Sequence, residues 1–246
     1  MEKKIEDIIA NFKGNFHILE KKIDLEEQMV YFNKSKHLKK FMPDNVLDMA
    51  ESLWNDDVPD EQRKKILIWL ASMQDVKAYR IIEDFFYKIK DDGLKNWSYL
   101  ALIEARMGLE SSLSDEKQIF ISTGLGGKGQ MLRYFIVLFP HDKDKGFSDF
   151  ERDFVRKEFE FVLNLEGCEF ELRENKSTYI SFVALIPIDV LIKDIVVKIF
   201  NACNQFGKFI SDKFIITNVK EMNENEIFEF IDNGDDVEDI DEIDIR

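Results

Sequence analysis

Gln118-Ile-Phe-Ile-Ser-Thr-Gly-Leu-Gly-Gly-Lys-Gly-Gln-Met-Leu-Arg-Tyr-Phe-Ile-Val-Leu-Phe139 marks the point where a helical N-terminal half gives way to an alternating α/β C-terminal half. It holds the chain's only glycine-rich loop, formed by Gly124, Gly126, Gly127 and Gly129 around Lys128. Two β-rich runs flank the loop, so it reads as a hairpin whose turn needs positive φ angles. The chain on either side then sets the class: helices before, strands alternating with helices after, α+β in all.

Forward of the loop, Met131–Phe139 is almost continuously apolar, as suits a strand buried on both faces. Pro140 to Gly146 is a turn, and Ser148-Asp-Phe-Glu151 is a capping box. The helix behind it is expected to turn Phe150, Phe154, Val155, Phe159, Val162 and Leu165 inward, and Gly167 ends it. Cys168–Leu172 and Tyr179–Ile186 pair as a hairpin across Glu174-Asn175-Lys176. Pro187 opens a second helix with Leu191, Ile192, Ile195, Ile199, Ala202, Cys203 and Phe206 inward. Gly207 closes it, and Lys213–Val219 is the last strand. The order β-α-β-β-α-β resembles a ferredoxin-like split sandwich. The Ile119 strand is an extra N-terminal one, expected beside the first. A short helix around Ile227, Phe228 and Ile231 precedes an acidic end.

Backward of the loop, four helical segments run from Pro43 to Leu109 with short links. Asp44 caps the first, Pro59-Asp60 opens the second, Asp75 begins the third, and Asp92-Gly93 separates it from the fourth. Ile68-Trp-Leu-Ala-Ser-Met-Gln-Asp-Val-Lys-Ala-Tyr-Arg-Ile-Ile82 resembles the hairpin turn of a HEAT-type repeat. Trp97-Ser-Tyr-Leu-Ala-Leu-Ile-Glu-Ala-Arg106 is similar to the inner helix of the next unit. The resemblance covers about 65 residues and implies stacked helix pairs that offer a protein-binding surface. It departs from the family in number, since only about two units are present. Residues 2–42 read as helix too, with Ile5, Ile8, Ile9 and Phe12 on one stripe, interrupted at Gly14. Lys34, Lys36, His37, Lys39 and Lys40 form the one basic spot, a solvated helix end or an anion contact. The expected domains are 1–112, helical and HEAT-like; 113–231, ferredoxin-like; and 232–246, an acidic disordered tail.

Composition narrows the function. The apolar fraction of 45%, with 22 Phe, is enough to build real cores in a chain of 246 residues. No run is long and apolar enough to cross a bilayer, and acids interrupt what a signal segment would need at the start, so a cytoplasmic chain is expected. The net charge is −15, of which residues 232–246, with eight acids and one arginine, supply −7 and leave −8 for the rest. That balance argues against nucleic acid as a partner. Cys168 and Cys203 form no Cys-x-x-Cys pair and read as buried thiols, so neither a disulfide framework nor a zinc site is expected.

Chemistry is sparse. Consecutive glycine amides can form an anion-binding nest, with Lys128 and Arg133 adding charge. Gly124, Gly126, Gly127, Lys128, Gly129, Arg133 and Tyr134 are therefore the candidate ligand-binding residues, against the plainer reading of a wide turn. The loop is no P-loop, because Gly129 follows Lys128, and no dinucleotide fingerprint, because a strand follows it. His17, His37 and His141 stand near no nucleophile elbow, and the paired acids Asp56-Asp57 and Asp91-Asp92 fit turns and caps. No catalytic residue, metal or cofactor is expected. The expectation is a non-enzymatic protein-binding or adaptor protein with a protein partner, in one version an acidic inhibitor or immunity-type protein. The alternative is a small-ligand sensing or enzymatic domain using the Gly124–Gly129 loop. A homodimer through a sheet edge or the unfinished helical stack is a third reading.

Overall fold

The computed structural model describes residues 14–114, 117–233 and 244–245. Among these, Gly14–His17 and those within Ile23–Ile119 form one compact unit; Ile18–Lys22 and those from Phe120 onward form another. The stripe of Ile5, Ile8, Ile9 and Phe12 lies outside the described residues, as does most of the acidic end.

The first described element corrects the sequence reading. Gly14–Ile18 is a strand, β1, and not a stretch of interrupted helix. Glycine has poor helix propensity, and the alternation that follows it suits an extended chain. Asp24 then accepts from the amides of Glu26 and Glu27 and starts α1, Leu25–Leu38. The expected first repeat helix is short: α2, Val46–Met49, tightens into a 3-10 turn over Ala50–Trp54. Asp44 does not cap it; Asn45 holds that position, without a side-chain bond.

Three longer helices follow: α3, Asp60–Ser72; α4, Val76–Lys88; and α5, Asp92–Leu113. The carboxylates of Asp75 and Asp91 take up amides that the first turns of α4 and α5 leave free. The core of this unit comes from Ile66, Leu67 and Leu70 of α3, Ile82 and Phe85 of α4, and Trp97, Leu100 and Ala101 of α5. Glu104 of α5 ties α1 down, accepting from the Tyr31 hydroxyl at 2.6 Å and the Ser35 hydroxyl at 2.8 Å. Burial and the Glu104 charge push the Tyr31 phenol well above its ordinary pKa.

The other unit is built on an antiparallel sheet. Its elements are β2, Lys117–Ser122; β3, Gly127–Lys128; β4, Met131–Pro140; α6, Asp149–Leu165; β5, Glu169–Asn175; β6, Ile180–Pro187; α7, Ile192–Asn204; β7, Ile210–Thr217; α8, Glu224–Asn233; and β8, Asp244–Ile245. β4 is central, with β6 on one side and β7 on the other, and β5 lies outside β6. That order, with α6 and α7 as the two crossovers, is the split βαβ arrangement read from the sequence. A strand flanked on both sides is apolar on both faces, hence the run Leu132–Phe139.

α6 and α7 cover one face of the sheet. Val155, Phe159 and Val162 of α6 and Ile195, Ile199 and Cys203 of α7 are buried there, and Phe159 stacks on Phe182 at 3.9 Å. On a second cluster, Ile227 of α8 is buried with Phe135, Val137, Phe139, Tyr179, Val183 and Ile215.

Four expectations need correction here. The extra strand β2 does not flank β4; it lies in a separate sheet of order β1-β2-β8. Nor do the runs on either side of the glycines pair as one hairpin. β4 turns back instead on the two residues of β3, through Gly127↔Leu132 and Lys128↔Met131. Finally, the inward faces of the crossover helices are narrower than expected. Phe150 and Leu165 of α6 are 67% and 69% exposed, and Leu191 and Phe206 beside α7 are 45% and 73% exposed. Asp232 and Asn233, expected in the tail, end α8.

Candidate functional site

The glycine loop is best understood by following each of its groups to a partner. A Cβ at Gly124 would stand 1.8 Å from the backbone oxygen of Val219, just beyond β7. Gly126 has φ +68, and a Cβ there would lie 2.6 Å from the carbonyl oxygen of Glu20. At Gly127 it would meet the Met131 oxygen at 2.2 Å and Ile18 Cγ2 at 2.6 Å. The glycines are thus a bed on which the backbone of Ile18–Lys22 and the chain after β7 lie at contact distance.

The polar groups are engaged in the same way. The Gly126 amide donates to the Thr123 carbonyl at 3.2 Å, and the Leu125 amide to the Asn218 carbonyl at 2.9 Å. The Gly129 amide donates to the Glu20 carboxylate at 2.9 Å. Lys128 Nζ reaches both oxygens of Glu169 at 2.7 Å. Arg133 donates to the Leu125 carbonyl at 2.6 Å, and its own amide bonds the Gly126 carbonyl at 3.0 Å. Tyr134 is buried. The structure therefore does bring the seven expected residues together, but Lys128 and Arg133 face groups of the chain itself.

A second constellation stands in the helical unit, and the sequence showed only one edge of it. Lys34 and His37 of α1, Glu61, Lys64 and Lys65 of α3, and Trp97 of α5 line a groove of about 360 Å³, with Leu38 and Ile68 as apolar walls. The Trp97 indole N–H donates to the Lys64 carbonyl at 3.1 Å, which fixes the ring behind the groove. The ammonium groups of Lys34 and Lys64 sit 5.4 and 5.0 Å from the ring centroid, within cation–π range. Both also turn toward Glu61, at 2.7 and 3.4 Å. The Lys34 hydrogen bond holds the Glu61 carboxyl below the ordinary glutamate value.

One carboxylate thus faces three lysines and a histidine, in a chain whose net charge is −15. Lys65 and His37 are exposed, while Ile68 is buried. Sequence reading found the α1 cluster; Lys64, Lys65 and Trp97 join it only through tertiary packing. Lys39, of the same cluster, is drawn instead to Glu104.

The remaining candidates are spent on structure. His17 Nε2 lies 2.7 Å from Gln118 Oε1 and 2.9 Å from Glu110 Oε2. Cys168 and Cys203 are buried, and burial pushes their thiols up to about 11 and about 12. Among the described residues no group of three His, Cys, Asp or Glu side chains could hold a metal ion. Among them, too, no helix is long and apolar enough to cross a membrane.

No protein-family model matches the chain, and no curated protein matches it. Among solved structures, the backbone is similar to a protein provisionally described as a transposase from Deinococcus radiodurans R1, at 16% identity and a TM-score of 0.36, over 44% of this chain and 93% of that one. At that score the likeness carries no argument.

Proposed function

We propose that the chain is a non-enzymatic binding protein of the cytoplasm whose helical unit receives an acidic segment of a protein partner. The observation that carries this reading is the concentration of Lys34, His37, Lys64 and Lys65 around one groove in a strongly acidic chain. A local basic surface on an acidic protein steers an acidic segment to one place, while the field of the whole molecule repels extended polyanions. The apolar walls Leu38 and Ile68 favour a segment that interleaves acids with apolar residues. Nucleic acid and membrane are no part of the reading. It also reverses the sign of the inhibitor version, in which the protein itself offers the acids. The small-ligand alternative at Gly124–Gly129 has less support, because an anion nest needs free amides and those of Gly126 and Gly129 are bonded to the Thr123 carbonyl and the Glu20 carboxylate.

Fluorescence polarisation tests it, with three labelled probes: a peptide alternating Glu/Asp with Leu/Phe, its Lys counterpart, and a single-stranded oligonucleotide. The acidic peptide should bind best, and Lys65→Glu should weaken it by roughly tenfold or more. A preference for the lysine peptide, or a titration that ignores Lys65→Glu, would sink the proposal.

A further inference from the structure

α6 carries two apolar faces, one on the sheet and one turned away from it, where Phe154 is half-buried against Phe206 and Phe209 and Phe150 touches Phe209 at its edge. Val155, Phe159 and Val162 lie on the sheet. On the opposite side stand Phe150, Phe154, Phe161 and Leu165, three of which are 67%, 59% and 69% exposed. Lys157 and Glu158 fall between them. At 100° per residue these six positions lie within about 100° of one another, a single stripe in which Phe150, Lys157, Phe161 and Leu165 are exposed and Phe154 and Glu158 half-buried. Aromatic side chains at such exposure cost solubility and mark a surface that is meant to be covered.

What covers it is written in the order of the stripe. A two-fold axis crossing the helix between residues 157 and 158, with the partner helix antiparallel, sets Phe150 opposite Leu165, Phe154 opposite Phe161 and Lys157 opposite Glu158. Every apolar position then meets an apolar one, and the only two charges meet as opposites, twice. An isologous interface requires this self-complementarity; a surface made for a different protein does not. The spacing of four, three and four residues from Phe150 to Phe161 is also that of an antiparallel seam. Inside the helix, Asp153 and Glu160 flank Arg156 at 3.6 and 3.5 Å, and Asp153 lies 4.0 Å from Lys157, so these acids border the seam without entering it. Beyond the end of α7, Phe206 stands edge-on to Phe154 and is itself 73% exposed, which extends the apolar area past one helix.

We infer that the chain forms a homodimer through the outer face of α6, packed antiparallel on α6 of a second copy. The test is sedimentation equilibrium of the full chain over a concentration series, with three variants. Wild type should show a concentration-dependent dimer. Phe161→Glu should weaken it about a hundredfold or more, since the two-fold axis counts the lost anchor twice, while leaving the circular dichroism melt in place. Lys157→Glu sets like charges across the axis and should weaken association. Adding Glu158→Lys to it should restore association, as only this register predicts. A monomer at every concentration, a dimer indifferent to Phe161→Glu, or a double variant no better than Lys157→Glu would each overturn the inference.

Discussion

Two glycines of the same loop make opposite demands, and a pair of alanine substitutions separates them. At Gly124 the obstacle is space, since an added Cβ would lie 1.8 Å from the Val219 carbonyl oxygen and backbone would have to move. At Gly129 nothing lies within 4 Å, and only the positive φ of +59 opposes a side chain. Gly129→Ala should therefore cost about 1 kcal/mol, the usual strain of a left-handed residue. Gly124→Ala should cost about 3 kcal/mol or more, as overpacking against backbone does. Urea unfolding of the two variants beside wild type measures both. Equal losses would mean that the loop is not the close-packed bed described for it.

At the scale of elements, Glu221 joins three pieces of the sheet-bearing unit. Arg173 of β5 donates to it at 2.8 Å, and Lys22 pairs with it from the Ile18–Lys22 segment. Burial works to raise the Glu221 carboxyl, but the bonds and charges of Lys22 and Arg173 outweigh it and hold the group below the ordinary glutamate value. The folded state thus favours the ionised form. Its contribution is complete above the unfolded value, about 4.3, and is lost as pH falls through the lower folded one. The stability gap between wild type and Glu221→Gln should stay level from pH 7 to about 5 and narrow below that. Urea midpoints across this range are the measurement; a gap that widens on acidification would contradict the sign.

The elements most legible in the sequence were those fixed by neighbours along the chain. Ser148 and Glu151 do form their capping box, and Gly167 does end α6 at φ +69. The strand order followed as well, because β4 is continuously apolar and the other strands are shorter. β1 is not legible, since five residues beginning at Gly14 carry too little pattern to oppose a helical context. Phe150 and Leu165, expected inward, stand exposed for a different reason. Phenylalanines at helical spacing look alike whether they face a sheet or stand outside it, and of those in α6 only Phe159 is buried against the sheet. The groove was half legible: α1 shows its lysines in one run, while Lys64 and Lys65 of α3 and Trp97 of α5 reach it only through packing.

For the molecule as a whole, the sequence boundary and the packing divide the chain differently, and the difference can be measured. A cut at residue 112 leaves Ile18–Lys22 with the helices. In the structure that segment lies on the glycine bed: the Leu19 amide bonds the Ile121 carbonyl at 3.0 Å, Glu20 accepts from Gly129, and Ile18 and Leu19 are buried. A fragment of residues 113–246 would expose the apolar surface that Ile18 and Leu19 cover and leave the Gly129 amide without its carboxylate. Joining residues 18–22 to its N-terminus through a flexible glycine-serine linker returns both, at the modest cost of closing a loop. Thermal melts of the two fragments should differ by several degrees in favour of the joined one, since burying two aliphatic side chains is worth about 3 kcal/mol or more before the loop cost. If the plain fragment melts as high, the five residues are passengers, and the unit is continuous in sequence after all.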